Sequence, residues 1–287
     1  MISIEVKQMS QADVVKNTVK PLTKTVIKNM FLDLGINARS KLEIHTKLSA
    51  FGYIVNKEYD IIDALIEIIT EGVIITPAHT SEWSDPQAWE NPPVPKSWIT
   101  IINTHRKPFD KSVILPERIG RLPMAFLNYK GVKRTNHPTL SLAVYNKTED
   151  TAWLDHDLDD RKLINPLKKL ADEDGQILFL GTDFQTCTSI HLTEIYSDAS
   201  YVEPFKTTRL NNQQDVEEVT VCTVEYADDA EDNFKAIEML YKDKYIGTKY
   251  YKDIKIGNAT CTLISAKKLY HLAESYHKSI VYETDQD

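Results

Sequence analysis

The chain has 287 residues, and its 42 acidic residues exceed its 34 basic ones, which gives a formal net charge of −8. This acidic balance excludes a nucleic-acid-binding protein that works by releasing counterions from phosphates, because such proteins need a basic face. Glycine is scarce, with 9 residues, and neither the P-loop pattern nor G-x-G-x-x-G occurs, which excludes nucleotide binding by those two motifs.

The cysteines and the amino-terminal segment predict the compartment and the domain organisation. The odd number and wide spacing of Cys187, Cys222 and Cys261 favour a reducing compartment over a disulfide framework. Residues 1–20 are polar where a signal peptide needs an apolar core, and no run of about 18 apolar residues follows. We therefore expect a cytoplasmic protein with no membrane partner, built as an extension over residues 1–20 and a single domain over residues 21–287.

Helical and strand patterns alternate in the first part of the chain. From Val26, apolar residues recur at helical spacing until Gly35, a natural helix C-cap. A strand, a loop, a second helix and a second strand follow, over residues 42–44, 45–52, 61–69 and 73–75. This order of strand, helix and strand predicts a right-handed crossover in a parallel sheet.

Residues 77–138 form a different segment, which contains most of the twelve prolines and three of the four tryptophans but few periodic apolar runs. We expect a long, ordered, loop-rich excursion over the sheet, because long loops in compact domains are usually functional. Regular structure is predicted again over residues 140–145. Helices are then predicted over residues 166–172, 188–197, 231–241 and 266–278, and strands over residues 177–181, 201–209, 217–226 and 260–264.

The strongest candidate for a reactive site follows the apolar strand over residues 177–181, because open α/β sheets bind ligands at the carboxyl ends of their strands. On the helix that follows, Thr188, His191 and Glu194 are spaced three residues apart and can point the same way. A carboxylate beside an imidazole fixes its tautomer and favours a general base. A helix N-terminus near Thr188 favours a developing oxyanion. The same spacing also fits a surface His–Glu pair next to a capping threonine or serine.

Three further features leave alternatives open. Cys187 precedes His191 by four residues, which fits either a thiol nucleophile or a small buried side chain. His137 is held in extended geometry by Pro138 and either lines a site or anchors a turn. The acidic run over residues 155–160 lacks the glycine of an EF-hand loop and is interpreted as a solvated loop. Since no Cys/His spacing is typical of zinc either, we expect no metal.

Five segments, taken in chain order, carry a resemblance to a known family. They are residues 45–52, residues 89–98 with the sequence WENPPVPKSW, residues 136–141 with NHPTLS, residues 180–194 ending in TSIHLTE, and residues 257–259 with GNA. Together they resemble the antibiotic N-acetyltransferases typified by aminoglycoside 3-N-acetyltransferase, from about residue 24 to the final helix.

The resemblance implies a three-layer α/β/α sandwich with a central mixed, largely parallel sheet, distinct from the GNAT fold. It also implies a cleft that binds acetyl-CoA and an aminoglycoside. By the same resemblance, His191 is the general base, Glu194 is its associated carboxylate, and Thr188 lies close to the reacting thioester. The loop implied to receive the pantetheine and pyrophosphate of CoA consists of His45, Thr46, Lys47, Leu48 and Ser49.

The acidic composition suits a polycationic aminoglycoside, because opposite charges steer and hold such a ligand. The candidate substrate contacts are acidic and aromatic side chains of the excursion together with one histidine: Glu82, Trp83, Asp85, Trp89, Glu90 and His137. The expected function is therefore transfer of an acetyl group from acetyl-CoA to an amine of an aminoglycoside.

The chain departs from the family pattern at the CoA loop and at the start of the reactive helix. Lys47 stands where the family usually has serine, Asn56 and Lys57 replace a Gly-Gly pair, and Cys187 replaces an asparagine. Backbone amides approach a phosphate most closely at glycine, whereas Lys47 either contacts a phosphate directly or is solvated. Two alternatives therefore stay open: a family member that binds a ligand or partner without turnover, and an acetyltransferase that acts on a different amine.

Overall fold

The computed structural model describes residues 11–113, 119–159, 165–226 and 233–280. Its helices are α1 (Gln11–Lys16), α2 (Lys24–Leu34), α3 (Glu58–Ile68), α4 (Lys96–His105), α5 (Arg121–Leu127), α6 (Asn165–Asp172), α7 (Asn233–Tyr245) and α8 (Ala266–His277). Its strands are β1 (Lys41–Thr46), β2 (Val73–Pro77), β3 (Val132–Arg134), β4 (Leu142–Asn146), β5 (Gln176–Leu180), β6 (Ser200–Leu210), β7 (Val216–Tyr226), β8 (Tyr251–Ile256) and β9 (Ala259–Ser265). A 3-10 helix over Thr188–Tyr196 lies between β5 and β6.

A seven-stranded mixed sheet, in the order β3-β4-β2-β1-β5-β9-β8, forms the centre of the fold. β1 runs parallel to β2 and to β5, whereas the other four pairings of this sheet are antiparallel. β6 and β7 form a separate antiparallel hairpin. The parallel pairing predicted for the first strand, helix and strand is confirmed, with Leu42 opposite Ile74.

The predicted α/β fold with a mixed sheet is confirmed, but the expectation of a largely parallel sheet is wrong, because only the three central strands are parallel. β8 and β9 are joined by the short turn at Gly257 and Asn258, and so short a connection can only join antiparallel strands. β8 is not predicted from the sequence. Its charged residues Lys252, Asp253 and Lys255 are typical of an edge strand, and they leave too few apolar residues for the alternating pattern that predicts a strand.

Helices cover both faces of the sheet, which gives the three layers that the resemblance implies. Leu178 and Leu180 of β5 pack on the face covered by α2, α3 and α5, whereas Ile177 and Phe179 pack on the face covered by α6, α7 and α8. All four side chains are completely buried. Burying a side chain of this size contributes roughly 1.5–3 kcal/mol, so this alternation holds the strand from both sides.

The ends of α2 illustrate how the sequence sets helix boundaries. Thr23 caps the amino end by accepting a hydrogen bond from Val26 N–H at 3.5 Å. The helix ends at Gly35, whose φ of 100° lies in the left-handed region and whose N–H donates to the Leu32 carbonyl at 2.9 Å. The C-cap predicted at Gly35 is confirmed.

The excursion over residues 77–138 contains two helices that are not predicted from the sequence. α5 buries Leu122 and Phe126 against the core, whereas α4 follows Pro95, has no buried residue and lies on the surface. The helix predicted to begin at residue 231 is described from Asn233 onward, and its first residues lie outside the described ranges. Among the described residues, no helix combines the length and apolar character needed to cross a membrane.

Two residues attach the amino-terminal segment to the domain. Thr18 Oγ1 accepts a hydrogen bond from Tyr53 N–H at 2.9 Å, and Asn258 Nδ2 donates to the Asn17 carbonyl at 3.2 Å. The end of the extension at residue 20 stays a prediction. Residues 17 and 18 already contact the domain, at the loop that follows β1 and at the turn between β8 and β9.

Candidate active site

Three parallel strands bring their carboxyl ends to one edge of the sheet, where open α/β sheets bind ligands. At this edge β1 leads to Lys47, β2 leads to His79, and β5 leads to the turn at Gly181. The chain then continues from Gly181 into the 3-10 helix Thr188–Tyr196. His191 on this helix lies close enough to His79 for the two imidazoles to interact electrostatically, so the 3-10 helix lies at the same edge.

His191 and Glu194 form a hydrogen-bonded pair. His191 Nδ1 lies 2.8 Å from Glu194 Oε2, and a carboxylate can only accept, so Nδ1 carries the proton. Nε2 is then the ring nitrogen that can accept a proton from a substrate. The Glu194 side chain is only 10% exposed, whereas that of His191 is 49% exposed. His191 is therefore open to a substrate, while the buried Glu194 carboxylate holds its ring in place.

The local backbone explains this alignment. The helix predicted over residues 188–197 is a 3-10 helix, which has three residues per turn, so residues three apart lie one above another. Thr188, His191 and Glu194 therefore form one row along the helix. Thr188 is buried in the first turn, where the backbone N–H groups carry partial positive charge.

Cys187 precedes the 3-10 helix and is completely buried. Burial raises the pKa of its thiol well above the ordinary value, and the nearby Glu43 carboxylate raises it further. A thiol nucleophile reacts as the thiolate. Of the two interpretations left open by the sequence, the structure therefore favours a small buried side chain.

A buried carboxylate lies beneath the site. Glu43 on β1 is fully buried, its Oε1 lies 2.8 Å from His45 Nε2, and Ser189 Oγ donates to its Oε2. The possible metal-ligand atoms of Glu43, His45 and Cys187 lie within 4.8 Å of one another. Because hydrogen bonds already occupy both carboxylate oxygens, we interpret the group as a support that joins β1 to the 3-10 helix. Glu43 is not identified as a site residue from the sequence, although an acidic residue within an apolar strand indicates a buried carboxylate with a specific partner.

The five residues of the implied CoA loop differ in exposure. Lys47 and Ser49 are exposed, and Thr46 and Leu48 are half-buried. His45 is buried, and its ring stacks on Phe179 with centroids 5.7 Å apart. The structure therefore places His45 behind the loop and leaves Lys47 and Ser49 on its surface.

This loop is fixed on the turn that follows β5. Lys47 N–H donates to the Leu180 carbonyl at 2.9 Å. Gly181 has a φ of 70°, and a Cβ there would lie 2.7 Å from Ala50 Cβ and 3.0 Å from the Lys47 carbonyl. A cavity of 340 Å³ borders Ala50 and Gly181. Glycine at this turn therefore allows the loop to pack closely beside an open space.

Arg106 joins the excursion to the β6–β7 hairpin. Its Nη1 donates to the carbonyls of Glu82 at 2.7 Å and Ser84 at 2.9 Å, and its Nη2 donates to Thr207 Oγ1 on β6 at 3.3 Å. Burial lowers the pKa of this guanidinium, and the Asp85 carboxylate opposes the shift. Arg106 therefore holds the excursion against the β6–β7 hairpin.

The predicted substrate contacts of the excursion divide between two cavities. Glu82, Trp89 and Glu90 line a cavity of 340 Å³, and Asp85 lines a second cavity of 300 Å³. Trp83 packs elsewhere, edge-on to a buried phenylalanine ring with centroids 5.5 Å apart. The structure therefore brings three of these residues together and gives Trp83 a packing role.

The cavity at Asp85 is also lined by Glu203 on β6 and Glu225 on β7, two acidic residues that are not identified as substrate contacts from the sequence. Burial raises the pKa of Glu225, repulsion by Glu203 and Glu194 raises it further, and His191 lowers it. These interactions place the acidic cavity beside the His191–Glu194 pair. Acidic residues on a hairpin are typical of a solvated face, so the sequence carries no signal for this placement.

His137 is completely buried. Its Nδ1 accepts hydrogen bonds from Leu140 N–H at 2.9 Å and from Thr139 N–H at 3.3 Å. Its ring lies 4.5 Å from that of His156, and burial lowers its pKa well below the ordinary value. Of the two interpretations of His137, the structure favours the turn anchor.

Known proteins resemble this chain in sequence and in fold. The family model described as aminoglycoside 3-N-acetyltransferase matches residues 44–278. The SPbeta prophage-derived aminoglycoside N(3')-acetyltransferase-like protein YokD of Bacillus subtilis (strain 168) is 33% identical over 184 residues, which cover 63% of this chain and 68% of YokD. The crystal structure of YokD from Bacillus subtilis has a TM-score of 0.81 at 26% identity, covering 92% of this chain and 96% of that chain.

Two further solved structures share the fold and were determined with ligands. AAC-IIIb in a binary complex with CoASH has a TM-score of 0.74 at 21% identity, covering 90% of this chain and 96% of that chain. Sisomicin-bound AAC-VIa has a TM-score of 0.74 at 20% identity, covering 91% of this chain and 99% of that chain.

Proposed function

Because the chain belongs to the aminoglycoside 3-N-acetyltransferase family, a family of acyltransferases associated with antibiotic resistance, we propose that it transfers the acetyl group of acetyl-CoA directly to an amine of an aminoglycoside. The observation that carries this proposal is the pairing of His191 with the buried carboxylate of Glu194 beside an acidic cavity. The CoASH and sisomicin complexes of structural neighbours support the two substrates. The three free cysteines support a reaction in the cytoplasm.

The proposed reaction moves one acetyl group and one proton. His191 Nε2 removes a proton from the substrate nitrogen as that nitrogen attacks the thioester carbonyl carbon and the C–N bond forms. The tetrahedral intermediate collapses with cleavage of the C–S bond, and the leaving CoA thiolate takes the proton from the His191 imidazolium, which gives the free thiol and the neutral base. The Glu194 carboxylate stabilises the imidazolium between these steps, and N–H groups near Thr188 stabilise the developing oxyanion.

The loop over residues 45–49 is the part of the chain proposed to bind CoA. It packs on Gly181 beside an open cavity, and it exposes the ammonium group of Lys47. A lysine binds phosphate as a point charge, so Lys47 replaces contacts that other family members make through glycine backbone.

We expect Lys47→Ala to raise the KM for acetyl-CoA about fivefold, a loss of about 1 kcal/mol, with kcat unchanged. Steady-state kinetics at varied acetyl-CoA measure this effect. The matched control is Lys130→Ala, which removes another exposed lysine and should leave the KM unchanged. An unchanged KM in Lys47→Ala would identify Lys47 as a solvated lysine.

The acidic cavity is proposed to bind the polycationic acceptor. Glu203→Gln and Glu225→Gln are each expected to raise the KM for an aminoglycoside about tenfold at low salt, and less at high salt. The KM for acetyl-CoA should not change in either variant. The control is Glu218→Gln on the same hairpin, whose carboxylate does not line this cavity and is paired with Lys206. Equal effects in all three variants would point to the charge of the whole protein and away from this cavity.

A mixture of purified protein, acetyl-CoA and a panel of aminoglycosides and other amines separates the three functions. The expected result is release of free thiol together with an acetyl mass increment on an aminoglycoside. Thiol release with only non-aminoglycoside amines would favour a different acceptor. Binding of acetyl-CoA in calorimetry with no release for any amine would favour a ligand-binding protein, and absence of both would contradict the enzyme.

A further inference from the structure

Histidines concentrate around the candidate site. Of the eight histidines in the chain, five lie together here: His45, His79, His137, His156 and His191. The rings of His137 and His156 are 4.5 Å apart, and His45, His156 and His191 lie close enough to His79 that a proton on any of them would disfavour a proton on the His79 imidazole. His79 is therefore the member of this group that interacts both with the proposed base and with the histidines behind it.

His79 differs from the other four histidines in its hydrogen bonding. Each of the others pairs through one ring nitrogen with a polar group of another residue: Glu43 for His45, Leu140 for His137, Thr135 for His156 and Glu194 for His191. His156 also has a buried Nε2 without a partner among the described residues, but its Nδ1 is held by Thr135. The Nε2 atom of His79 is buried and has no hydrogen-bond partner within the part of the chain that the structure describes. An unsatisfied buried polar atom costs about 1–3 kcal/mol, and a hydrogen bond to a ligand at the catalytic site would remove this cost for His79.

The backbone on both sides of His79 is fixed. Ala78 N–H and Thr80 N–H each donate to a carbonyl of the segment 139–141, at 2.9 and 2.7 Å. The buried guanidinium of Arg134 also donates to the Ala78 carbonyl at 2.8 Å. The imidazole is therefore carried by a rigid segment directly after β2, and rigid placement of donors is what transition-state stabilisation requires.

The surroundings of His79 favour a neutral imidazole. Burial, the neighbouring histidines and Arg134 lower the pKa of His79 to about 3. At neutral pH the ring therefore has one N–H and no charge, so it can donate a hydrogen bond but is a poor base. The Arg134 guanidinium, which opposes an imidazolium at His79, also favours a negative oxygen placed at this N–H.

We propose that His79 is a second catalytic residue, whose ring N–H donates a hydrogen bond to the thioester carbonyl oxygen and stabilises the oxyanion. This inference rests on the proposed acetyl transfer. No proton is transferred to or from His79. His191, which has a carboxylate partner, accepts the amine proton, while His79 acts on the oxygen of the tetrahedral intermediate.

Two variants of His79 test this role with acetyl-CoA and sisomicin as substrates. His79→Leu removes the donor, and we expect kcat to fall about 10²- to 10³-fold with both KM values within about threefold of wild type. His79→Gln keeps an N–H donor and should retain at least about a tenth of the wild-type kcat. Because His79 does not exchange a proton, the apparent pKa in the kcat profile of His79→Gln should equal that of wild type.

The matched control is His156→Gln, which removes a neighbouring buried imidazole and should leave kcat within about threefold of wild type. The Tm of each variant shows whether it is folded. A folded His79→Leu with near wild-type kcat, or equal losses in both His79 variants, would overturn the proposal. If His79→Leu does not fold, a kcat of His79→Gln below about a hundredth of wild type would overturn it. Wild-type protein that acetylates no amine would contradict the proposed function instead.

Discussion

Replacing His191 by alanine is expected to lower kcat about 10²-fold or more, while the KM for acetyl-CoA stays within about threefold of wild type. Alanine removes the nitrogen that accepts the amine proton, so the chemical step loses its base. The loop over residues 45–49 keeps its contacts with Gly181, so acetyl-CoA binding should persist. Steady-state kinetics followed by thiol release measure both parameters.

The chain contains a matched control for this variant on α8. His271 and Glu274 have the same three-residue spacing as His191 and Glu194, but their atoms are 3.6 Å apart and the His271 side chain is 61% exposed. We expect His271→Ala to leave kcat unchanged. A near wild-type kcat in His191→Ala, or equal losses in the two variants, would remove His191 from the mechanism.

Acidification from pH 7 to pH 5 is expected to lower the free energy of unfolding by several kcal/mol. Burial lowers the pKa of His79 and His156 to about 3 and that of His277 to about 4, whereas histidine in an unfolded chain titrates near about 6.5. Between these values the unfolded chain binds more protons than the folded chain, so stability is full above the unfolded pKa and decreases as the pH falls. Each of these histidines contributes up to about 2 kcal/mol over this interval.

Urea denaturation at several pH values between 7 and 5 measures this dependence. His277 Nδ1 lies 2.8 Å from Thr193 Oγ1, so His277→Gln keeps a polar group at that site but cannot titrate. We expect this variant to show a shallower dependence on pH, and the exposed control His105→Gln to show the wild-type dependence. Stability that stays constant or increases toward pH 5 would contradict the buried, neutral state of these histidines.

The two His–Glu pairs explain why the sequence predicts only part of the site. Residue spacing is the same for His191–Glu194 and His271–Glu274, so spacing alone cannot separate a base from a surface pair. The difference comes from tertiary packing, which leaves Glu194 only 10% exposed on a 3-10 helix at the sheet edge. In the sequence, His191 is distinguished by its place after the buried strand over residues 177–181 and by the family resemblance.

Residues that reach the site from distant strands escape sequence reasoning. Glu203 and Glu225 line the same cavity as Asp85 only because the hairpin packs against the excursion. Arg106 holds the two segments together through hydrogen bonds to one residue of each. Glu43 lies on a strand that was correctly predicted, yet its pairing with the start of the 3-10 helix depends on the order of β1 and β5 in the sheet. Such contacts have no local pattern in the sequence.

A helix or strand is predictable from the sequence where one of its faces is buried, because its apolar residues then recur at regular spacing. α2 and α3 bury regular apolar stripes, and their helical patterns are confirmed. β8 is an edge strand with charged residues, and α4 is an exposed helix with no buried face, so neither has a periodic apolar signal. The 3-10 helix Thr188–Tyr196 differs from an α-helix by a fraction of a residue per turn, which a nine-residue pattern does not resolve.

The proposed transfer is tested most directly by following where the acetyl group goes, first on the protein and then on the product. Purified protein is incubated with acetyl-CoA and sisomicin, and the product is analysed by mass spectrometry and NMR. We expect one acetyl group per antibiotic on the 3-amino nitrogen, formed together with an equal amount of free CoA. Free CoA without acetylated antibiotic, or an acetyl group retained on the protein before the antibiotic is added, would contradict direct transfer.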